Sequence, residues 1–559
     1  MSNGYQPSLI ADIQSGINTY LDPWKRPTDA FEPLMNAYVN RGSINKRNGY
    51  VQFGDTLADI KPVMGLMRYI DQSDGSNKLL AATTQHLYLY DGFSSYSDIS
   101  VAANDFTGGI SNFFNYTNWQ PTTGAASAIY MTNDVDPVTV WIKGAAAAAQ
   151  PDIWTNSAKT TKITKCLDVQ VYKQRLLFIR PALTGSAQTE NQTIYWTKIN
   201  SGYDPAPGSF INAFSDVAGN GGFLTAPTGD IIQCAQFIRD VLVVFFTHST
   251  WLFKFTGSQS QPFVWCKVND TRSVTAPYAS VSYDDYCTAV GNTGLIACSG
   301  TNVERYDLSI IDYFDTEVSS KYVAQSFAHR YDTLSQTWML YVSNNRNQGN
   351  FPLVGLAPGS DKALIYNYQE KSFSTYQFSR PMTCLGLFYN STGATWASLT
   401  EEWKDVDRSW GSYADQTNFP ILLAGDTTGH IWYMDAPNTV DDAGEPIKVD
   451  IATTRWNPLL GTGQKAQFGY IDIYYYVSSL DVADPVTVTL NFYADNSDNL
   501  AFSRPLTLDG PTGTTNTFKR IYLNIIGGFI QMEIVASESS AMKFLGFILW
   551  ARPAGRLTP

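Results

Sequence analysis

Apolar and polar residues alternate with a period of two in short runs from about residue 61 to residue 435, and turn residues separate the runs. GLMRYID at 65–71 is followed by NKLLAATTQHLYLYDG at 77–92, a hairpin-like pair, and comparable units occur at 127–144, 166–200, 230–257, 280–308, 336–378 and 382–435. Several units close on an aromatic strand ending near Gly or Asp: HLYLYDG, STWLFKFTG, NVERYDL and HIWYMD. Alternation of this kind, rich in β-branched and aromatic residues, predicts strands. A single unit cannot bury both of its faces, so its neighbours must stack on it. The pattern predicts an all-β chain whose body, residues 61–445, is a β-propeller of about six to seven blades, at roughly 40–45 residues per blade. A large open array of β-sandwiches is the alternative. Residues 93–122, 144–161, 201–227 and 344–360 read as long loop insertions, which are usually functional or ordered by a partner.

From about Ile447 the spacing widens. The runs 469–480, 486–497, 519–536 and 542–553 are longer and predict a C-terminal antiparallel β-sandwich-like domain over 446–559, or else final blades that close the ring.

Composition narrows the function classes. The 559-residue chain has room for more than one core. Charged residues make up 16% and aromatic residues 14% of the chain, fewer charges than the ~25% of an average soluble domain. So much aromatic surface argues against disorder and favours a β-protein that buries area against neighbours. A formal charge of −12 argues against wrapping nucleic acid by charge neutralisation, which needs a basic stripe. The N-terminus lacks the basic start and apolar core of a signal peptide, and no apolar run approaches the ~18 residues of a membrane span, so no span is expected. Cys166, Cys234, Cys266, Cys287, Cys298 and Cys384 show no Cys-x-x-Cys spacing and are expected as reduced thiols rather than disulfides or metal ligands.

Catalytic signatures are missing from the sequence. His86, His248, His329 and His430 are not at metal-ligand spacing from one another, and no nucleophile elbow, zinc helix, Walker loop or dinucleotide fingerprint stands in a fitting context. The acidic pairs Asp284-Asp285, Glu401-Glu402 and Asp441-Asp442 are candidates for glycosidase chemistry, but neighbours on a strand face opposite sides, so such a pair rarely makes a catalytic dyad by itself. Asp435 with Asp441 and Asp442 could hold calcium, although a solvated loop is the plainer reading. Trp119, Trp141, Trp154, Trp403 and Trp410 are candidates for sugar stacking. No enzyme activity and no cofactor are expected.

Residues 16–53 mix cations with apolar side chains (Phe31, Leu34, Met35, Tyr38, Val39) and read as an anchoring arm within residues 1–60. Trp24, Lys25, Arg26, Arg41, Lys46 and Arg47 are its candidate docking residues, and Asn48-Gly49 is a tight-turn signal. The segment ends in a Gly-x-x-x-[Lys/Arg]-Arg-x-Gly element made by Gly42, Lys46, Arg47 and Gly49. With that element it resembles the N-terminus of the tail nozzle proteins of short-tailed bacteriophages, also called tail tubular protein B or packaged-DNA stabilisation protein. Many of those carry Pro where this chain has Asn48. Residues 395–456 resemble the same group through Trp403, Trp410, Gly425, Gly429, Ile431, Trp432, Asp435, Asp441, Asp442 and Gly444, with Ala443 interrupting the usual Asp-Asp-Gly. Residues 292–311 resemble a third element of that group.

The resemblance implies a virion protein of the phage tail, made in the host cytoplasm. It implies a homo-oligomeric ring, six-fold, beneath the head-to-tail adaptor, with tail fibres or spikes as further partners. Double-stranded DNA would pass through the lumen without sequence-specific binding and be retained until ejection. On this reading residues 93–122 or 201–227 gate the lumen, an acidic lining keeps DNA from sticking, and removal of residues 1–53 leaves a folded body that no longer joins the tail. A propeller lectin or adhesin and, behind it, a propeller glycoside hydrolase are the rival readings.

Overall fold

The structure is a computed structural model, and it describes residues 4–71, 75–101, 105–121, 127–186, 189–203, 210–213, 215–217, 219–344, 359–389, 420–478, 486–508 and 517–556. The chain is all-β, a β-propeller joined to an antiparallel β-sandwich, and the one α-helix among the described residues, Tyr313–Thr316, is a single turn.

Seven sheets follow one another as blades. The first is Val63–Ile70, Asn77–Thr83, Leu87–Tyr90 and Tyr96–Asp98; the second is Asn115–Trp119, Ala128–Thr132 and Thr139–Ile142. The third is Asp168–Tyr172, Arg175–Ile179, Thr193–Trp196 and Gly222–Thr225. The fourth is Ile232–Ile238, Val241–Phe246, Thr250–Phe255 and Phe263–Asn269, and the fifth runs from Val281–Ser282 to Val303–Arg305. The long strand Ser372–Tyr389 serves two blades: its first part ends the sixth, after Phe327–Tyr331, Gln336–Tyr341 and Ser360–Asn367, and its second part begins the seventh. Pro420–Asp426 and Ile431–Met434 continue that last blade, and Val51–Gln52 from the N-terminal region completes it by pairing with Trp432 and Tyr433.

The strand VLVVFF at Val241–Phe246 shows why such blades stack. Leu242, Val244 and Phe246 pack toward the third blade, while Val243 and Phe245 pack toward the fifth. Both faces of the sheet are buried, so the strand is apolar throughout. The same arrangement recurs round the ring and closes where Leu66 and Met67 meet Phe388 and Leu423. There the backbones come so close that a Cβ on Gly386 would lie 2.5 Å from the carbonyl oxygen of Leu66.

The expected insertions are largely part of the sheets. Residues 93–122 contribute the outer strand of the first blade and the inner strand of the second. Residues 201–227 contribute Gly222–Thr225 to the third blade and Phe210–Asn212 to a small side sheet with Asp152–Trp154, Lys162–Lys165 and Ala182–Leu183. Both segments thus carry strands, and residues 102–104, 122, 204–209, 214 and 218 within them lie outside the described residues.

The sandwich differs from expectation in one main respect: within residues 4–60 the chain forms strands of the sandwich and of the last blade rather than a separate arm. Gln6–Ile10 and Ser43–Lys46 pair with Ala541–Arg556, and that strand in turn pairs with Gln464–Ser478 and then Thr517–Gly527. The facing layer runs from Ala30–Met35 through Lys448–Thr453, Ile530–Ser537 and Val486–Ala494 to Leu500–Leu508. Ile10, Ile13, Phe31, Leu34, Val39 and Ile44 are buried in one core with Ile451, Phe468, Ile473, Leu490, Ile534 and Phe547. Their apolar surface leaves water only if the N-terminal strands stay in place. Gly16–Ile17 and Ala30–Met35 also pair in parallel with Ser372–Tyr389, so this layer is hydrogen-bonded to the sixth blade.

Candidate functional site

Lys46 and Arg47 are buried, and each is held by partners distant in sequence. Arg47 donates from Nη1 to Asp442 Oδ1 at 2.7 Å and from Nη2 to Asp442 Oδ2 at 2.5 Å, from Nε to Asn36 Oδ1 at 2.9 Å, and to the carbonyl of Gln377 at 2.9 Å. Lys46 Nζ donates to the carbonyls of Ser540 at 3.0 Å, Val440 at 3.2 Å and Glu538. Burial, with the neighbouring Arg47 charge, brings the Lys46 amine down to about 8. Asn48 Nδ2 donates to Asp435 Oδ1 at 2.9 Å, and burial pushes the Asp435 carboxyl up to about 6. Gly49 is not in the left-handed region and makes no tight turn; it is needed because a Cβ there would lie 1.6 Å from the carbonyl oxygen of Asp441. These residues form a node that ties the sandwich to the sixth and seventh blades. Asp435 and Asp442 have protein donors as partners, and among the described residues no group of three or more His, Cys, Asp and Glu is placed to hold a metal.

The other docking candidates do not gather into one patch. Arg26 is largely buried, donating from Nε to the carbonyl of Leu21 at 2.6 Å and pairing with Glu32. Trp24 and Lys25 remain exposed, with Lys25 bound to Asp22 at 2.8 Å and its ammonium 4.8 Å from the Trp24 ring centre. Arg41 is exposed, and its backbone N–H meets the Glu370 carboxylate. Burial and internal pairing thus remove Arg26, Lys46 and Arg47 from any docking surface. Trp403, Trp410, Glu401 and Glu402 lie outside the described residues.

Two features that the sequence reading missed stand out. The first is a cavity of about 290 Å³ on the propeller axis, bordered by the inner strands of all seven blades: Leu66, Tyr116, Asp168, Gln236, Ser282, His329 and Leu385 contribute in turn. Among the described residues Asp168 is its one acidic lining residue. Burial pushes that carboxyl up to about 7, against the opposing effect of a 3.0 Å bond from Gln170 Nε2. Burial also lowers the His329 imidazole, whose Nδ1 lies 2.8 Å from the carbonyl of Arg330. A glycosidase needs two carboxylates ~5–10 Å apart, and the cavity wall supplies one. Its signal in the sequence was a carboxylate inside an apolar run, CLDVQVY.

The second feature is the outer face of the sandwich layer that ends in the edge strand Thr517–Gly527. Across it run the registered rows Pro7–Trp550–Tyr470–Tyr522 and Ile548–Asp472–Arg520, with Tyr474 beside Phe518. Tyr522 is 66%, Ile526 59% and Phe518 55% exposed, far more than side chains of this kind usually are. Arg520 grips Asp472 with two bonds of 2.7 and 2.8 Å, Trp550 Nε1 adds a third at 2.9 Å, and the guanidinium lies 4.3 Å from the Tyr470 ring centre. That carboxylate holds the Arg520 guanidinium above its ordinary range. Tyr470 stacks on Trp550 at 5.2 Å and Tyr474 on Phe518 at 5.5 Å. Alternation of aromatic and charged residues in YIDIYYYV and FKRIYLNI was the readable signal.

All six cysteines are unbridged thiols, five of them buried, although Cys287 and Cys298 face each other across a hairpin of the fifth blade. No helix among the described residues is long and apolar enough to cross a membrane.

No protein-family model and no curated protein matches the chain. Among solved structures it is similar to the extracellular domain of a hybrid two-component system from B. thetaiotaomicron, at 10% identity and a TM-score of 0.27, over 75% of this chain and 42% of that one. It is also similar to PorZ, a bacterial surface component of the type-IX secretion system of Porphyromonas gingivalis, at 10% identity and a TM-score of 0.27, over 89% of this chain and 82% of that one. The chain therefore spans less than half the length of the first of these structures.

Proposed function

We propose that this chain is a structural subunit of a phage tail nozzle, assembling into a ring below the head-to-tail adaptor, retaining packaged DNA and conducting it outward. The observation that carries this reading is the meeting of two segments that separately resemble nozzle proteins. Residues 42–49 and 435–444 are brought together through Arg47 and Asp442, which are 395 positions apart. The two segments thus meet in one structural element, which supports reading them together.

Two further features support it. The axial cavity of a single subunit, about 290 Å³, is far too small for a duplex whose major groove alone is ~12 Å wide. DNA therefore needs a lumen formed between subunits, and the acidic chain, at −12, gives such a lumen little hold on phosphates. The aromatic outer face of the sandwich, beside a strand that among the described residues is unpaired on one side, is suited to contact between subunits.

Light scattering combined with negative-stain imaging, with and without the adaptor ring, tests the proposal. A ring with a central hole is expected. A compact monomer that stays monomeric beside the adaptor overturns it.

A further inference from the structure

We propose that Cys287 and Cys298 are a reversible oxidation site, two thiols in reducing surroundings that hydrogen peroxide closes into a cross-strand disulfide. This site is independent of the nozzle reading and would exist in a single subunit.

The register of the fifth blade places the pair. Cys287–Gly291 and Gly294–Cys298 form a hairpin in which Cys287 lies directly opposite Cys298. Opposed residues of antiparallel strands present their side chains on one face, and both thiols pack in the core between the fourth and fifth blades. The Cα atoms of such a pair are ~4.5–5.5 Å apart, inside the ~4.4–6.8 Å that a disulfide accepts. Their Cβ atoms, ordinarily ~4.5–5.5 Å apart, must close by about 1 Å. No other cysteine has a thiol opposite it. Cys234 faces Phe245 and Cys266 faces Leu252, while Cys166 meets the Thr132 hydroxyl at 3.7 Å and Cys384 the carbonyl of Val63 at 3.4 Å.

The two thiols already have unequal roles. The Cys287 S–H donates to the Cys298 sulfur, which also accepts the backbone N–H of Gly300 at 3.4 Å. The bond from Cys287 holds the Cys298 thiol below its ordinary value, whereas burial pushes Cys287 well up. Cys298 is therefore the side chain favoured as thiolate, the form that attacks. Cys287 waits beside it as the resolving thiol.

Both side chains are buried, but each adjoins an exposed tight turn. Cys287 follows the turn of Asp284 and Asp285, and Cys298 precedes that of Ser299, Thr301 and Asn302. Local opening of turns of this kind costs far less than global unfolding, and peroxide is a small oxidant. The Cys298 thiolate attacks one peroxide oxygen and the O–O bond breaks. The departing hydroxide takes up the proton that Cys298 had released, leaving water and a sulfenic acid. The Cys287 sulfur then attacks the Cys298 sulfur, the S–O bond breaks, and the Cys287 proton leaves with that hydroxide as a second water. Two thiols thereby lose two electrons, and one peroxide becomes two waters.

Peroxide treatment of the folded full chain, followed by alkylation with N-ethylmaleimide in denaturant, trypsin digestion and mass spectrometry, tests the site. Cleavage after Arg272 and Arg305 releases residues 273–305, which carry Cys287 and Cys298 and no other cysteine. The peptide is expected to be lighter by the mass of two hydrogens, to take up no alkyl group, and to take up two after dithiothreitol. Its loss of alkylation should be at least ~10-fold faster than that of Cys166, Cys234 or Cys384, none of which has a thiol opposite it. Cys298→Ser, which removes the attacking thiolate, should slow oxidation of Cys287 at least ~10-fold. If that variant does not fold, the peptide from the parent decides alone. The proposal is overturned if the folded chain keeps both thiols, if either is bridged to Cys234, if the products are sulfinic or sulfonic acids, or if a folded Cys298→Ser chain oxidises at Cys287 like the parent.

Discussion

Asp442 and Asp168 are equally buried, at 3% and 4% exposure, yet they sit in opposite circumstances. Asp442 lies in the node between sandwich and propeller, where Arg47 matches both of its oxygens. Asp168 lies on the propeller axis, where one oxygen is unpaired and Gln170 alone serves the other by a side chain. A carboxylate taken out of water needs charge and donors supplied in its place. At the node the chain supplies both from its own N-terminal strand. On the axis it supplies neither in full, and the fold leaves a cavity at that point. The difference separates a carboxylate that holds the structure together from one that the fold leaves partly unmatched.

The largest effect expected on the node side comes from removing the strands that deliver Arg47. Deletion of residues 1–46 would withdraw Ile10, Ile13, Ile17, Phe31, Leu34, Val39 and Ile44 from the sandwich core. At about 1.5–3 kcal/mol for each fully buried side chain, the loss rivals the ~5–15 kcal/mol stability of a whole domain. The truncated chain should be insoluble, or should be cleaved by protease throughout residues 446–556. Recovery of a resistant full-length remainder would show that the N-terminal strands are dispensable, as the arm reading required.

Next in size is the ion pair itself. Arg47→Met leaves the Asp442 carboxylate buried without its partner, which costs about 3–5 kcal/mol. Chemical denaturation should register that loss, and the double variant Arg47→Met with Asp442→Leu should recover part of it. A single variant as stable as the parent would reduce the node to ordinary packing.

The node and the cavity also mark where the sequence was legible. The blades were readable wherever both sheet faces are apolar, as in VLVVFF at 241–246, and the seven observed sheets fall within the expected count. NYTNW at 115–119 carries no such strand signal, because this inner strand borders the axial cavity and half-buried polar side chains replace the apolar alternation. The N-terminal segment misled for a related reason. Lys46 and Arg47 look like surface cations until carbonyls and a carboxylate from residues 377–540 are brought around them. Pairing over such distances leaves no local trace in one sequence. Of the candidate sites, Lys46 and Arg47 were legible as part of a motif but not as a location, and of the cavity lining only Asp168 left a signal, as a carboxylate inside the apolar run CLDVQVY.

A smaller effect is expected on the axis, and its sign is fixed by linkage. Asp168 rises from an ordinary carboxyl value of 3.8 to about 7 in the folded chain, so between those values the native state binds more protons than the unfolded state. Stability therefore falls as pH rises from about 4 to about 7, by on the order of 4 kcal/mol if the whole shift is realised. Asp435 and Asp450, both raised to about 6 by burial, contribute in the same direction. The informative quantity is thus the difference between parent and Asp168→Asn, measured by denaturation at pH 4.5 and 7.5. The variant should gain on the parent as pH rises; a constant difference would mean that Asp168 titrates as it does in water.

The smallest change in stability is expected on the outer face of the sandwich, where the effect on assembly should be large instead. Tyr522 is 66% exposed on an edge strand, and its ring is 5.9 Å from that of Tyr470. Replacement by Asp should shift stability by no more than ~0.5 kcal/mol, as for an exposed position with few partners. A charge there must nevertheless be desolvated if this face packs against another subunit, and buried unpaired charge is strongly disfavoured. Light scattering on Tyr522→Asp should therefore show loss of the proposed ring with an unchanged denaturation midpoint. Rings of normal size would remove this face from the subunit contact and leave the edge strand's partner to be sought elsewhere, whereas a lowered midpoint would mean that Tyr522 braces the Arg520–Asp472 pair beneath it rather than meeting a neighbour.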